Sequence, residues 1–137
     1  MRLLDADIFS YALYDASPFN PQCKTLIEKA AHGEIELYIT HTTILEAYNV
    51  LYWSYRVRPQ KAILKKISAA LGIITVITPS IRGLDIALEN NIPLGDGILI
   101  ATARENRIPI IVSNDEHIEK VAPRYGIIVE NPLKARS

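Results

Sequence analysis

Leu94-Gly-Asp-Gly-Ile-Leu-Ile-Ala-Thr-Ala-Arg104 runs on through a polar turn to Ile110-Ile-Val-Ser-Asn-Asp115. It reads as a helix opened by an acid, followed by a short buried strand that ends in a second acid. An acid where a helix or strand meets a loop points at a crevice. Two more acids have similar settings: Asp5 directly after Leu3-Leu4, and Glu46 early in a helix opened by Thr42 and Thr43. The expectation is that Asp5, Glu46, Asp96 and Asp115 meet in one metal site.

Working outward, short apolar strands alternate with helices. Strands are predicted at 2–4, 35–39, 73–77, 109–112 and 127–129. The strand over 73–77 is β-branched and bounded by Gly72 and Pro79. Helices are predicted over 8–14, from Pro21 to Gly33, from Thr42 to about Tyr55, from Arg58-Pro59 to near Gly72, from Ser80 to about Asn90, from Asp96 to about Asn106, and from Asp115 to about Arg124. Alternation of this kind predicts a three-layer α/β/α sandwich around a central five-stranded parallel sheet. Ligands of such sheets bind beyond the carboxyl ends of the strands, where the strand order reverses. If the first strand is central, Asp5 and the acids after Val112 share that rim.

The 137 residues suit one domain, expected over 1–132, with 133–137 as a loose C-terminal tail. Acids and bases balance at 15 each, so no global positive field favours wrapping long nucleic acids. The single cysteine, Cys23, excludes an internal disulfide and a cysteine-based zinc site, and suits a reducing cytoplasm. Asp5 and Asp7 interrupt the N-terminal apolar run, and no stretch approaches membrane-spanning length.

Each acid also has a plain structural explanation. Asp5, Asp96 and Asp115 can cap helices, and Ser113 or Asn114 can serve in place of Asp115. Thr43-Ile-Leu-Glu46 has capping-box spacing, and Glu116 can form a box with Ser113. Caps alone do not explain why all four fall at one rim. His32 reads as a helix-end residue, His41 as loop and His117 as surface; none has metal-ligand spacing. Arg58, Lys61 and Lys65 share a face and read as solvated. Tyr48, Leu51, Tyr52, Trp53 and Tyr55 make a helix apolar almost all round, which predicts burial on more than one side, part core and part interface.

Over nearly its whole length the chain resembles the PIN-domain ribonucleases, and among them the VapC-type toxins. Leu3-Leu-Asp-Ala-Asp-Ile-Phe9, Thr43-Ile-Leu-Glu46, Leu94-Gly-Asp-Gly-Ile-Leu-Ile-Ala-Thr-Ala103 and Val112-Ser-Asn-Asp115 carry the resemblance, in order. There are two departures. Asp7 stands where the family commonly has asparagine, and His117 where it often has a further aspartate. The resemblance implies metal-dependent hydrolysis of RNA phosphodiesters by a PIN-like domain, with Asp5, Glu46, Asp96 and Asp115 as catalytic metal ligands. Ser113 and Asn114 would hold water or phosphate. Hard oxygen ligands select Mg²⁺ or Mn²⁺. The implied partners are RNA, a second copy of the chain and a cognate antitoxin. A nuclease of RNA maturation or decay, or a non-catalytic PIN scaffold binding RNA or protein, are the alternatives. A phosphoacceptor receiver domain is excluded, because Ile77 is followed by Thr-Pro-Ser without an acceptor acid.

Overall fold

The computed structural model describes residues 1–134. Strand β1 (Arg2–Leu4) leads into α1 (Ala6–Leu13) and α2 (Asn20–Ala31). β2 (Leu37–Thr40) passes without a linker into α3 (His41–Asn49), which continues as a π-helical turn over Val50–Ser54. Next come α4 (Gln60–Leu71), β3 (Thr75–Ile77), α5 (Gly83–Asn90), α6 (Leu94–Glu105), β4 (Ile110–Val112), α7 (Glu116–Val121), a 3₁₀ turn over Ala122–Tyr125 and β5 (Ile128–Glu130).

The five strands form one sheet, order β3-β2-β1-β4-β5, and every pairing is parallel. The first strand is therefore central, between β2 and β4, and the strand order reverses beside it. Successive strand residues face opposite sides, and the two faces are covered by different helices. Leu4, Leu37, Ile39 and Val112 pack with Phe9 of α1, Cys23 of α2, Ala47 of α3 and Ile63 of α4. On the other side, Leu3 and Ile111 pack with Ile86 of α5, Ile100 of α6 and Ile118 of α7. This is the expected three-layer PIN-like arrangement. Each of these fully buried aliphatic side chains contributes about 2 kcal/mol through removal from water.

The boundaries depart from the sequence expectation where hydrogen bonding overrides periodicity. The long helix expected from Thr42 to Tyr55 shifts to π bonding at Val50, and the helix expected to run to Arg124 tightens to 3₁₀ bonding at Ala122. His41, expected in a loop, is the first residue of α3. Ser80 does not cap α5 directly. Its hydroxyl accepts from Arg82 N at 3.2 Å in a turn that precedes the helix. Within the segment expected as tail, Leu133 packs against the core and Lys134 pairs with Glu119 at 2.7 Å; residues 135–137 lie outside the described ones.

Helices α5 and α6 are the most closely packed pair, and glycine is the reason. A Cβ on Gly83 would fall inside the backbone of Ile98, and one on Gly97 would fall on the Gly83 carbonyl. This contact fixes the first turn of α6, which carries Asp96.

Candidate active site

The site lies at the carboxyl ends of β1, β2 and β4. Asp5 leaves β1 and Ser113 leaves β4, and Asp5 N donates to Val112 O at 3.0 Å, locking the two strand ends together. The Asp5 carboxylate does two local jobs. Its Oδ1 accepts from Ala6 N at 2.7 Å, capping α1, and its Oδ2 accepts from the buried Ser113 hydroxyl at 2.6 Å. Ser113 Oγ in turn accepts from Asp115 N at 2.9 Å. Asp115 is the N-cap of α7, its Oδ1 accepting from His117 N at 2.7 Å and Ile118 N at 3.3 Å. Cap and site readings therefore coexist for Asp5 and Asp115.

For Glu46 and Asp96 the cap reading does not hold. Thr40, at the end of β2, caps α3: its Oγ1 accepts from Thr43 N at 3.1 Å. Thr43 is thus inside the helix, and Glu46 lies in its second turn with no capping duty. Gly95 stands beside Glu46, close enough that a Cβ there would be 3.2 Å from Oε1. Asp96 is the third residue of α6, where the helix dipole favours an acid. Pro93 precedes that helix and no side chain caps it. Asp96 Oδ2 is buried and has no hydrogen-bond partner. A buried unpaired acceptor is costly and calls for an explanation.

The acids perturb one another. Burial, then the charges of Asp115, Asp5 and Glu46, push the Asp96 carboxyl up to about 7. Burial, then the Asp5 charge, pushes Asp7 up to about 7 as well. Burial raises Asp5 against the hydrogen bonds from Ser113 and Ala6 that stabilise its charge, and Asp115 raises it further. Partial desolvation and then Asp5 raise Glu46, whose side chain stays open to solvent on one side. In the sequence Asp7 is only a departure from the family pattern. In the fold its Oδ2 accepts from Asn114 N at 3.0 Å and its Oδ1 from Ile8 N at 2.7 Å. No local signal marks it, because its partner is 107 residues away.

Among the described residues, no three Asp, Glu, His or Cys side chains stand close enough to form a ready metal cage. The donors nonetheless fit a hard divalent cation by chemistry. They are carboxylate oxygens only, mutually repelling, and one of them is buried without a partner. The remaining candidates stay outside. His117 is exposed and meets Asp115 through its backbone N–H. His32 ends α2 at the surface. The Cys23 thiol is fully buried and pushed up to about 12, so it stays protonated and unreactive.

These shifts set a pH dependence. Unfolded, Asp7 and Asp96 titrate near 3.8; folded, near 7. Between those values the folded state holds more protons than the unfolded one, so stability is full below the lower value and is lost as pH rises through the upper. Metal-free protein is expected to melt higher at about pH 5 than at about pH 8. A melting temperature that is flat or rising over that interval would contradict the burial of these carboxyls.

The family model of the PIN domain matches residues 2–123. No curated protein matches the chain. Several solved structures are similar in fold. A Pyrobaculum aerophilum protein, PAE2754, is 20% identical with a TM-score of 0.69, over 93% of this chain and 82% of that one. A toxin-antitoxin complex from Klebsiella pneumoniae is 21% identical with a TM-score of 0.68, over 98% and 100%. VapC20 of Mycobacterium tuberculosis, a sarcin-ricin loop cleaving toxin, is 12% identical with a TM-score of 0.68, over 88% and 94%.

Proposed function

The chain belongs to the PIN-domain family, and on that premise we propose that it is a Mg²⁺- or Mn²⁺-dependent endoribonuclease, the toxin of a toxin-antitoxin pair. The observation that carries this reading is the buried, unpartnered Asp96 Oδ2, on which the charges of Asp115, Asp5 and Glu46 converge. Asp5, Glu46 and Asp96 would ligate the ion, with Asp115 joining them directly or through water. When bound, the ion supplies polarisation of the scissile phosphate and a lowered pKa for an attacking water.

The protein's own part is placement. Ser113 holds Asp5 by one oxygen, and Asp7 holds the loop of Asn114. Of the two residues expected to hold water or phosphate, Asn114 is exposed and would do so. Ser113 is fully buried with its hydroxyl committed to Asp5 and Asp115 N, and acts only by holding them. The Gly83–Gly97 contact holds Asp96 against the rim. The toxin assignment draws support from the described activity of the Mycobacterium tuberculosis neighbour and the composition of the Klebsiella pneumoniae complex. An antitoxin partner and a cytoplasmic setting belong to the same proposal. Among the described residues no helix is long and apolar enough to cross a membrane.

The purified protein is expected to cut single-stranded RNA with Mg²⁺ or Mn²⁺ and to stop on addition of EDTA. Cleavage undiminished in excess chelator would overturn the metal mechanism.

A homodimer is part of this reading. Ile81, Leu84 and Leu88 are 75%, 45% and 80% exposed, and their spacing puts them on one face of α5 and the turn before it. An apolar face of this kind marks a partner surface. Trp53, on the π-turn, is 65% exposed and leaves a second surface for an antitoxin segment. We expect a dimer mass by light scattering, and a monomer with unchanged circular dichroism for Leu88→Arg. A monomeric parent protein at micromolar concentration would contradict the dimer. Trp53→Ala is expected to leave folding stability within about 0.5 kcal/mol, as for other exposed positions.

A further inference from the structure

The turn after β5 is tied to the site loop by hydrogen bonds whose direction is fixed. Leu133 N donates to Asn131 Oδ1 at 3.0 Å. A backbone N–H can only donate, so the oxygen of this amide must face it. At the other end, Asn131 Nδ2 donates to Glu119 Oε1 at 2.9 Å and to Asn114 Oδ1 at 2.8 Å. Glu119 is held ionised by Lys134, whose ammonium donates to Oε2 at 2.7 Å, and by Asn131 itself; both lower its carboxyl below the ordinary range. It can therefore only accept. Flipping Asn131 would set its oxygen against a carboxylate and its NH₂ against an N–H.

The polarity passes on to Asn114. With Oδ1 turned to Asn131, its Nδ2 faces away, and among the described residues no acceptor takes it. Its backbone N–H is already held by Asp7 Oδ2 at 3.0 Å. Asn114 is exposed, between Ser113 and Asp115, with one uncommitted polar end, and that end is a donor. The surrounding rim is carboxylate and repels an anionic oxygen. A neutral N–H₂ group there is what a phosphodiester oxygen can approach.

We propose that Asn131 is a positioning residue, which sets the Asn114 amide so that Nδ2 donates to a non-bridging phosphate oxygen of the RNA. This rests on the nuclease reading above. Asn131→Asp is made in a Glu119→Gln background, so that the new carboxylate meets an amide donor and not a second carboxylate; Glu119→Gln alone is the reference. Asn131→Asp keeps an acceptor for Leu133 N but replaces the donor that faces Asn114. The Asn114 amide then turns over to donate inward and presents its oxygen to the RNA.

The test measures three quantities: KM and kcat on a single-stranded oligoribonucleotide at saturating Mn²⁺, Mn²⁺ affinity by calorimetry without RNA, and exchange of the Asn114 side-chain amide protons by NMR. Asn131→Asp is expected to raise KM by about tenfold, as for one hydrogen bond to a charged oxygen. Turnover and Mn²⁺ affinity should stay at the reference values, and the Asn114 amide protons should exchange more slowly because they have gained an acceptor.

The introduced carboxylate also repels RNA by charge. Asn114→Ala separates the two causes, because it has no amide to turn. With Asn114→Ala also present, Asn131→Asp should add little to KM if polarity is the cause, whereas a charge effect would multiply. A reference-like KM, multiplying effects in the combined variant, or unchanged Asn114 amide exchange would overturn the proposal. A parent protein that neither takes up Mn²⁺ nor cuts RNA would remove the nuclease reading instead, and amide exchange would still decide whether Asn131 sets Asn114.

Discussion

Asp96→Asn is expected to lower RNA cleavage by orders of magnitude while raising the melting temperature of the metal-free protein. The substitution keeps volume and shape and removes one charge. A cap would survive it, because asparagine caps as well as aspartate, but Asp96 caps nothing: no side chain caps α6, and its Oδ2 is buried without a partner. Burial and the charges of Asp115, Asp5 and Glu46 push its carboxyl up to about 7, so above that pH the metal-free fold carries an ionised group that its surroundings destabilise. Asparagine mimics the protonated form and can donate its NH₂ to a neighbouring carboxylate, so repulsion falls and the apo fold gains. Mn²⁺ should reverse the order, because binding to the folded state stabilises the parent and does so much less for the variant. Melts of both proteins with and without Mn²⁺ check this. Equal metal-induced shifts would mean that Asp96 is not a ligand. Asp5→Asn should lose cleavage similarly, but its apo melt gains less, because the Ser113 hydroxyl loses the oxygen to which it donates.

How legible this site is in the sequence varies residue by residue. Leu3-Leu4 ending at Asp5 is readable because an apolar run so short, flanked by helices, suits a strand buried in a parallel sheet. The four acids stand out because each lies at or near the end of a strand or helix. The local setting of Glu46 is misleading: Thr40, Thr42 and Thr43 are equally good caps by type, and only the direct junction of β2 and α3 selects Thr40. The aromatic helix is half legible. Leu51 is core and Trp53 is 65% exposed; two residues apart, they face opposite sides of the helix, but a stretch apolar almost all round does not say which side is core. Asp7 and Asn131 leave no such mark. Each acts through a partner distant in the chain, Asn114, and nothing in their local spacing records it.

Gly83→Val is expected to be the most damaging substitution to the fold outside the hydrophobic core, and it should damage the site as well. A Cβ at this position would fall inside the Ile98 backbone and lie 2.7 Å from the Gly97 carbonyl carbon, so it is backbone, not a flexible side-chain tip, that must yield. Relief comes only by separating α5 from α6. Overpacking of this kind costs about 3 kcal/mol, and more where backbone must move. The first turn of α6 is what would shift, and Asp96 with it. Lost stability should therefore come with weaker Mn²⁺ uptake in the fraction that remains folded. Gly33→Ala is the control. Gly33 has φ +74° and nothing within 4 Å of its would-be Cβ, so the penalty is backbone strain alone, about 1 kcal/mol, and Mn²⁺ affinity should not change. Denaturant unfolding and Mn²⁺ calorimetry on the three proteins measure both effects. If Gly83→Val proved no worse than Gly33→Ala, or kept the parent's Mn²⁺ affinity, the close glycine contact would not be what holds Asp96 at the rim.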